Sequence, residues 1–436
     1  MTTFDATVPA AQPGPAVLLR VPSGPIQFLG FERDYWRLLI RGSVLLALTL
    51  GIYRFWLTTD MRRFLWSNTD ALGEPLEYTG SARELLIGFL IAVAILIPFY
   101  TFIFLLAFTE GLIGQLAGVI GLALATVLGH YAVYRARRYR LTRTIYRGVR
   151  FHQTGSAWHY AGLAILWWTI VILTLGLAYP LAQSRLERFK MRNTWLGNLQ
   201  GRFEASATTL FLRGFMMWLV VIGPLVASLI AMAATLDLNA LQDLSGGDED
   251  SFRRFAETHP GFAAAFGLAI AALTWSLLAA PLLYPVFQAM VLRWWTSGLR
   301  FGDVAVTSHL RIGEVYGTYL RFIGWSIVFG AIGTIAILLV SVVIGLGLWS
   351  SGLGSTLQDS QAGQIMGAVV GVGVYVMFAL GYSAIYQVKV RLGLWRSVVN
   401  SSELSNPTTL ERISSVGAPA SPVGEGLADA LNVGGF

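Results

Sequence analysis

The chain has 436 residues, of which 55% are hydrophobic and 13% charged, and its net charge is +7. Soluble proteins carry about 25% charged residues, so this chain cannot cover a soluble globule of its size. The absence of Cys excludes disulfides, thiolate metal sites and thiol nucleophiles.

Taken in chain order, residues 1–24 are rich in Ala, Pro and Thr and lack the basic and apolar regions of a signal peptide, which predicts a disordered tail. Eight hydrophobic segments follow, at 38–57, 85–108, 112–134, 160–182, 208–236, 262–290, 322–349 and 364–388. A bilayer core about 30 Å thick takes about 20 apolar residues of helix, a length these segments reach or approach. The stretch 400–436 shows no apolar period and predicts a second disordered tail. The fold expected is an all-α polytopic membrane protein whose cytoplasmic connections hold extended turns with apolar residues at i and i+2, such as Leu76 and Tyr78.

Basic residues orient the segments, because connections rich in Lys and Arg stay on the cytoplasmic side. Connections 54–84, 135–150, 183–207 and 291–320 are basic, whereas 109–111 and 350–363 carry no Lys or Arg and 237–261 is mostly acidic. All of the 31 basic residues except Arg253 and Arg254 then fall on one side. Three in–out–in hairpins result, and both termini are placed in the cytoplasm. The segments at 38–57 and 160–182 are left flanked by basic connections on both sides.

These two segments share a motif. Leu48-Thr49-Leu50-Gly51 recurs as Leu173-Thr174-Leu175-Gly176, and at the same offset Arg63-Phe64, Asn68-Thr69 and Ser81-Ala82 match Arg188-Phe189, Asn193-Thr194 and Ser206-Ala207. The pattern predicts an internal duplication, with parallel repeats, because the basic connections keep the same bias. Either the LTLG segments are re-entrant, broken near Gly51 and Gly176, or they span in violation of the charge rule. The organisation expected is a tail (1–24), a first repeat (25–134), a basic connection with the second repeat (135–290), a third hairpin unit (291–399) and the second tail (400–436).

The ordered strings FLGFERDYWRLL (28–39), LTLGIYRFW (48–56), RRFLWSNT (62–69) and LEYTG (76–80) resemble the YjgN-like family of bacterial inner-membrane proteins. Phe28, Gly30, Thr49, Gly51, Tyr53, Trp56, Asn68, Thr69, Gly73, Tyr78 and Gly80 stand at matching places, with Leu76 where Phe is usual and Ala178 departing from Tyr53 in the second copy. The resemblance implies a location, the bacterial cytoplasmic (inner) membrane, and an architecture. It implies no activity.

Candidate site residues are few. Arg135, Arg137, Arg138, Arg140 and Arg143 alternate with tyrosines at the end of a segment, which suits topology-setting charge or anionic-lipid headgroups. The repeat-motif residues Thr49, Gly51, Asn68, Thr69, Gly80, Thr174, Gly176, Asn193 and Thr194 form the second set. Pro98, Pro224, Pro281 and Pro285 free backbone groups in apolar segments and can bend helices around a cavity. Gly363, Gly367 and Gly371, and Gly114 with Gly118, have the spacing of helix-packing seams, more suited to intramolecular contact than to a homo-oligomer. Lys190 and Lys389 follow no phosphate loop, and no HExxH, metal-ligand cluster or G-x-S-x-G occurs. Hence no enzyme, cofactor, metal or nucleic-acid partner is expected; the partner expected is the bilayer, including its anionic lipids. Two functions fit: a transporter or channel-like protein for a small or amphipathic solute, or a non-transporting scaffold or anionic-lipid-interacting factor.

Overall fold

A computed structural model describes residues 23–235, 249–351, 360–414, 416 and 420–433. The chain is mostly helical, and the all-α expectation is corrected by an 11-stranded antiparallel sheet. The strands are β1 (Ser23–Phe28), β2 (Thr69–Ala71), β3 (Glu74–Pro75), β4 (Glu77–Tyr78), β5 (Thr144–Tyr146), β6 (Val149–Gln153), β7 (Thr194–Leu196), β8 (Leu199–Phe203), β9 (Leu299–Phe301), β10 (Val304–Ser308) and β11 (Ser402–Ser405). Their order is β3-β2-β1-β11-β10-β9-β8-β7-β6-β5-β4. The two ends of this order, β3 and β4, adjoin in sequence through Leu76, so the sheet curls into a nearly closed ring. Side chains from strands all around it, among them Ala71, Tyr146, Val149, Leu196, Val304 and Leu404, meet in one apolar cluster. Only the concave interior of a ring can bring them together.

Five helical hairpins connect neighbouring strands of this ring. The first pairs α1 (Glu32–Leu48) with α2 (Arg54–Ser67), and the second pairs α3 (Ala82–Leu106) with α4 (Leu112–Thr142). The third pairs α5 (Ala157–Leu173) with α6 (Tyr179–Arg192). In the fourth, α7 (Ala207–Val221) and α8 (Gly223–Thr235) lead past α9 (Glu249–Thr258) to α10 (Pro260–Ser297). In the fifth, α11 (Ile312–Ser350) pairs with α12 (Gln361–Tyr386), which runs through a π-turn at Gln387–Leu392 into α13 (Gly393–Asn400). The strands flanking each hairpin are hydrogen-bonded to each other, as in Phe28↔Thr69, Tyr78↔Thr144, Gln153↔Thr194, Phe203↔Leu299 and Ser308↔Ser402. Each hairpin must therefore leave the ring and return to it. Successive helices pack on one another and α12 packs back on α1, so the helices form a second ring above the first.

The connections read as basic are those that hold the β-hairpins. Among the described residues, five helices are long and apolar enough to cross a membrane, or six if α7 and α8, bent by 55° at Ile222-Gly223-Pro224, are one span. Their apolar side chains face outward, as on α11, whose most apolar stretch is unburied. The eight hydrophobic segments thus hold five or six candidate spans, none of them an LTLG segment. The LTLG segments are tips of the shorter hairpins α1–α2 and α5–α6. With 17 residues each, α1 and α5 rise about 26 Å.

Local sequence explains these elements. Ser81 and Ser156 cap α3 and α5 by accepting from the N–H groups of Glu84 and His159, at 3.3 and 3.4 Å. Thr69, Thr144 and Thr194 close the preceding helices by donating to the carbonyls of Leu65, Arg140 and Lys190, at 2.7–2.9 Å. Hairpin turns place Leu72-Gly73 and Arg147-Gly148 at positive φ, as two-residue β-turns of the I′ kind require.

Two further expectations are corrected. Beyond Asn400 the described residues form β11, a 3-10 turn (Pro407–Arg412) and α14 (Val423–Ala430), in which Gly424, Gly426 and Ala428 are small enough to lie directly on α3 and α4. The glycine seams at Gly118, Gly367 and Gly371 face open space and seat no helix among the described residues. Residues 1–22 lie outside the described residues.

Candidate functional site

Among the described residues, buried charge collects where α2 and α4 meet the C-terminal helix α14, and again where Glu187 pairs with Lys190 on α6. Leu410, from the 3-10 turn after β11, joins the apolar cluster inside the strand ring, with Ile413 packed against it. Ser414 N–H donates to Asn198 Oδ1 (3.2 Å) at a turn on the rim away from the helices, whereas Ala420 N–H donates to Thr142 Oγ1 (3.3 Å) on the helical rim. Next, α14 lies against α3 and α4 and also reaches Arg54 and Arg62 of α2. It also lines one cavity with Gln387 and Arg391 of the π-turn, which lie beyond α1 in the ring, and only the concave side brings these elements together, so α14 occupies the lumen.

The charges there are arranged around α14. Arg62 donates to Glu425 and, through Nη1, to Tyr78 Oη at 3.1 Å; the side chains of Arg62 and Glu425 are only 5% and 6% exposed. Arg140 Nη1 lies 3.8 Å from the same Glu425 oxygen, and Arg54 pairs with Asp429. A cavity of about 150 Å³ adjoins this cluster, bounded by Arg54, Arg62, Gln387, Arg391, Glu425 and Asp429. Arg62 Nε, Gln387 Oε1 and Glu425 Oε2 are buried without a hydrogen-bond partner.

The Arg residues picked out from sequence take different places. Arg137 Nη1 donates to Gln153 Oε1 (3.1 Å) and Thr194 Oγ1 (2.8 Å), tying α4 to β6 and β7. Arg138 donates to the Gly155 carbonyl, and Arg143 Nη2 donates to Glu84 Oε1 at 2.8 Å. Arg140 faces Glu425, and the Arg135 backbone forms the floor on which Gly424 lies. The cluster is therefore drawn largely into the protein.

The repeat-motif residues pair off. Thr49 and Thr174 each donate to the carbonyl four residues back (2.7 and 2.8 Å) and accept from the N–H four residues on (3.0 and 3.1 Å). Gly51 and Gly176 take φ of 94° and 92°. Asn68 and Asn193 cap their helices through the Phe64 and Phe189 carbonyls, and the Asn carbonyls then accept from Leu29 and Thr154 N–H, each at 2.8 Å. Thr69 accepts from Trp395 Nε1 at 3.0 Å, and Gly80 O accepts from Arg63 at 3.1 Å.

Sequence reasoning missed a periodic arginine. Arg63, Arg138, Arg188, Arg293 and Arg396 each stand five residues before the C-cap of the helix that returns to the ring. Arg63 and Arg138 reach across their β-hairpins to the carbonyls of Gly80 and Gly155, and Arg396 reaches from the helix before β11 to the carbonyl of Gly30 after β1. The signal, an Arg at one fixed distance before five strands, is invisible until the strands are known. Another pocket, about 560 Å³, gathers Arg185, Arg188, Arg192 and Arg202 with Trp167 on the outer face of α6.

Comparison with known proteins gives a family and nothing nearer. No curated protein and no solved structure matches the chain. The family model described as bacterial protein of unknown function (DUF898) matches residues 23–430. With nearly all of its length matched, the chain belongs to this YjgN-like family of bacterial proteins of unknown function.

Proposed function

We propose that this protein is a multi-pass protein of the bacterial cytoplasmic membrane whose helical ring encloses a gated axial passage for a small solute, in the manner of a channel or transporter. The observation that carries the reading is the polar, charged lumen at the centre of two concentric closures. A protein that merely anchored itself in lipid would gain nothing from burying Arg62, Arg140 and Glu425 on an axis, because desolvating such groups opposes folding. The proline-associated bends of the fourth hairpin and the shortness of the LTLG hairpins fit a bundle able to change shape. We read the five-hairpin arrangement as the product of internal duplication, and the basic strand ring as cytoplasmic. The proposal assigns no catalytic activity, cofactor, metal or nucleic-acid partner.

The test is conductance in planar bilayers. Wild-type protein should be silent and G426L, in which α14 cannot seat, should conduct. A folded, silent G426L overturns the passage.

A second reading, an anionic-lipid-interacting scaffold, is favoured by the outer pocket of Arg185, Arg188, Arg192 and Arg202, where the only acidic side chain is Glu204. Arg135, Arg137, Arg138, Arg140 and Arg143 at the neighbouring helix end add to the same field. On that reading, R185Q/R188Q reduces the anionic phospholipid that co-purifies, measured by lipid mass spectrometry.

A further inference from the structure

We propose that Arg54, Arg62, Arg140 and Arg391 form a lumenal binding site for a small carboxylate- or phosphate-bearing anion, and that Glu425 and Asp429 of α14 occupy it as a tethered stand-in. The inference rests on the passage reading for its setting and deepens it by naming the solute class and its regulation.

Charge balance is the first argument. The guanidiniums come from α2, α4 and the π-turn after α12, whereas both carboxylates that border the cavity come from α14. With α14 withdrawn, Arg62, whose side chain is only 5% exposed, would stand beside a cavity with no bordering carboxylate among the described residues. Buried cations require paired anions, and guanidinium forks match carboxylate and phosphate oxygens in particular. Spare capacity is the second argument. Arg62 Nε lacks a hydrogen-bond partner beside the 150 Å³ cavity, so Glu425 does not saturate the donors around it.

The way α14 is held is the third. It is only eight residues long, and a helix of that length is not stable alone in water. Docking therefore forms the helix, and release melts it. Its contact is backbone on backbone: a Cβ at Gly426 would lie 1.9 Å from the Gly88 carbonyl carbon, and one at Gly424 would lie 2.3 Å from Arg135 Cβ. Such a seat accepts these small residues in one position and yields when a competitor takes the charges. A tethered group acts at millimolar or higher effective concentration, so a free anion binds the wild-type protein weakly and a released one tightly.

The experiment titrates full-length protein in detergent with inorganic phosphate and, separately, succinate, by calorimetry. E425Q/D429N and G426L should each bind at least one probe about 100-fold more tightly than wild type. Adding R62Q to G426L should abolish the gain. The inference is overturned if both variants, with wild-type helix content by circular dichroism, bind neither probe, or if R62Q leaves binding unchanged. Should the variants misfold, spin labels at Asn432→Cys and Arg147→Cys in the otherwise native chain report the position of α14. Saturating phosphate or succinate should shift their distance distribution, and an unchanged distribution with both overturns the inference. Anion binding without conductance sinks the passage but not this site; conductance without anion binding does the reverse.

Discussion

At Thr49 and Thr174 one hydroxyl joins two helices, donating to the last turn of the outgoing helix and accepting from the first N–H groups of the returning one. The adjacent Leu50 and Leu175 take φ of 50° and 49°, and Gly51 and Gly176 N–H reach back five residues to the Leu46 and Val171 carbonyls. This is the Schellman closure, with Leu rather than Gly in its left-handed position. Val at Thr49 or Thr174 keeps the shape and removes both bonds, so each single variant should lose about 1 kcal/mol, read as a lowered midpoint of thermal unfolding in detergent. Another residue-scale prediction concerns His152 on β6. Its ring stacks on Trp195 with Nδ1 buried and unpartnered, and burial lowers its pKa below the usual value. The unfolded chain then takes up the proton first, so stability is fully present above about pH 6.5 and declines as pH falls below it. H152Q should flatten that decline in pH-dependent thermal unfolding; an unchanged slope would remove His152 as its source.

Among the elements, the decisive pairing is between the ends of the chain, where Ser23–Pro25 of β1 lies along Glu403–Ser405 of β11. It closes both rings at once, since α13 leads into β11 and β1 leads into α1. Because the chain lacks Cys, P25C/E403C offers a clean test: the register sets these residues opposite each other, so oxidation should crosslink most of the protein, visible as a gel shift after cleavage between them. G24C with Glu77→Cys, on strands that are not neighbours, should not crosslink. The same pairing shows where sequence reading stops. The LTLG breaks were legible because Gly51 and Gly176 sit between two apolar periods. The strands were not, since two to six residues are too few to display alternation. The arginines near 135–143 were legible as charge but not as partners of buried carboxylates, because those partners are remote: Glu84 lies 59 residues from Arg143, and Glu425 lies 285 (425 − 140) from Arg140. The tail after Asn400 read as disordered for a related reason. Gly424, Gly426 and Ala428 look like linker composition until Gly88 and Arg135 supply the surface they fit.

For the molecule as a whole, the strand pairings and the charge pattern constrain the same topology independently. Every helical hairpin begins and ends on the strand ring, so all the β-turns must lie on one side of any membrane that the long hairpins enter. The basic connections coincide with that side, and the turn between α3 and α4 around Thr109 carries no Lys or Arg. This arrangement dissolves the parity conflict at 38–57 and 160–182, because α1–α2 and α5–α6 return to the ring without needing to cross. Single Cys substitutions therefore make a strong test in intact cells with a membrane-impermeant thiol reagent. Arg147→Cys and Asp303→Cys, at β-turns, should react only after the cells are opened, and Thr109→Cys should react from outside. Arg188→Cys decides between the topologies. If the LTLG segment before it crossed fully, Arg188 would lie outside with Thr109; if α5–α6 is a returning hairpin, it stays protected with Arg147. Labelling of Arg188→Cys from outside would break the link between the strand ring and one membrane face, and with it the placement of the lumen across the bilayer.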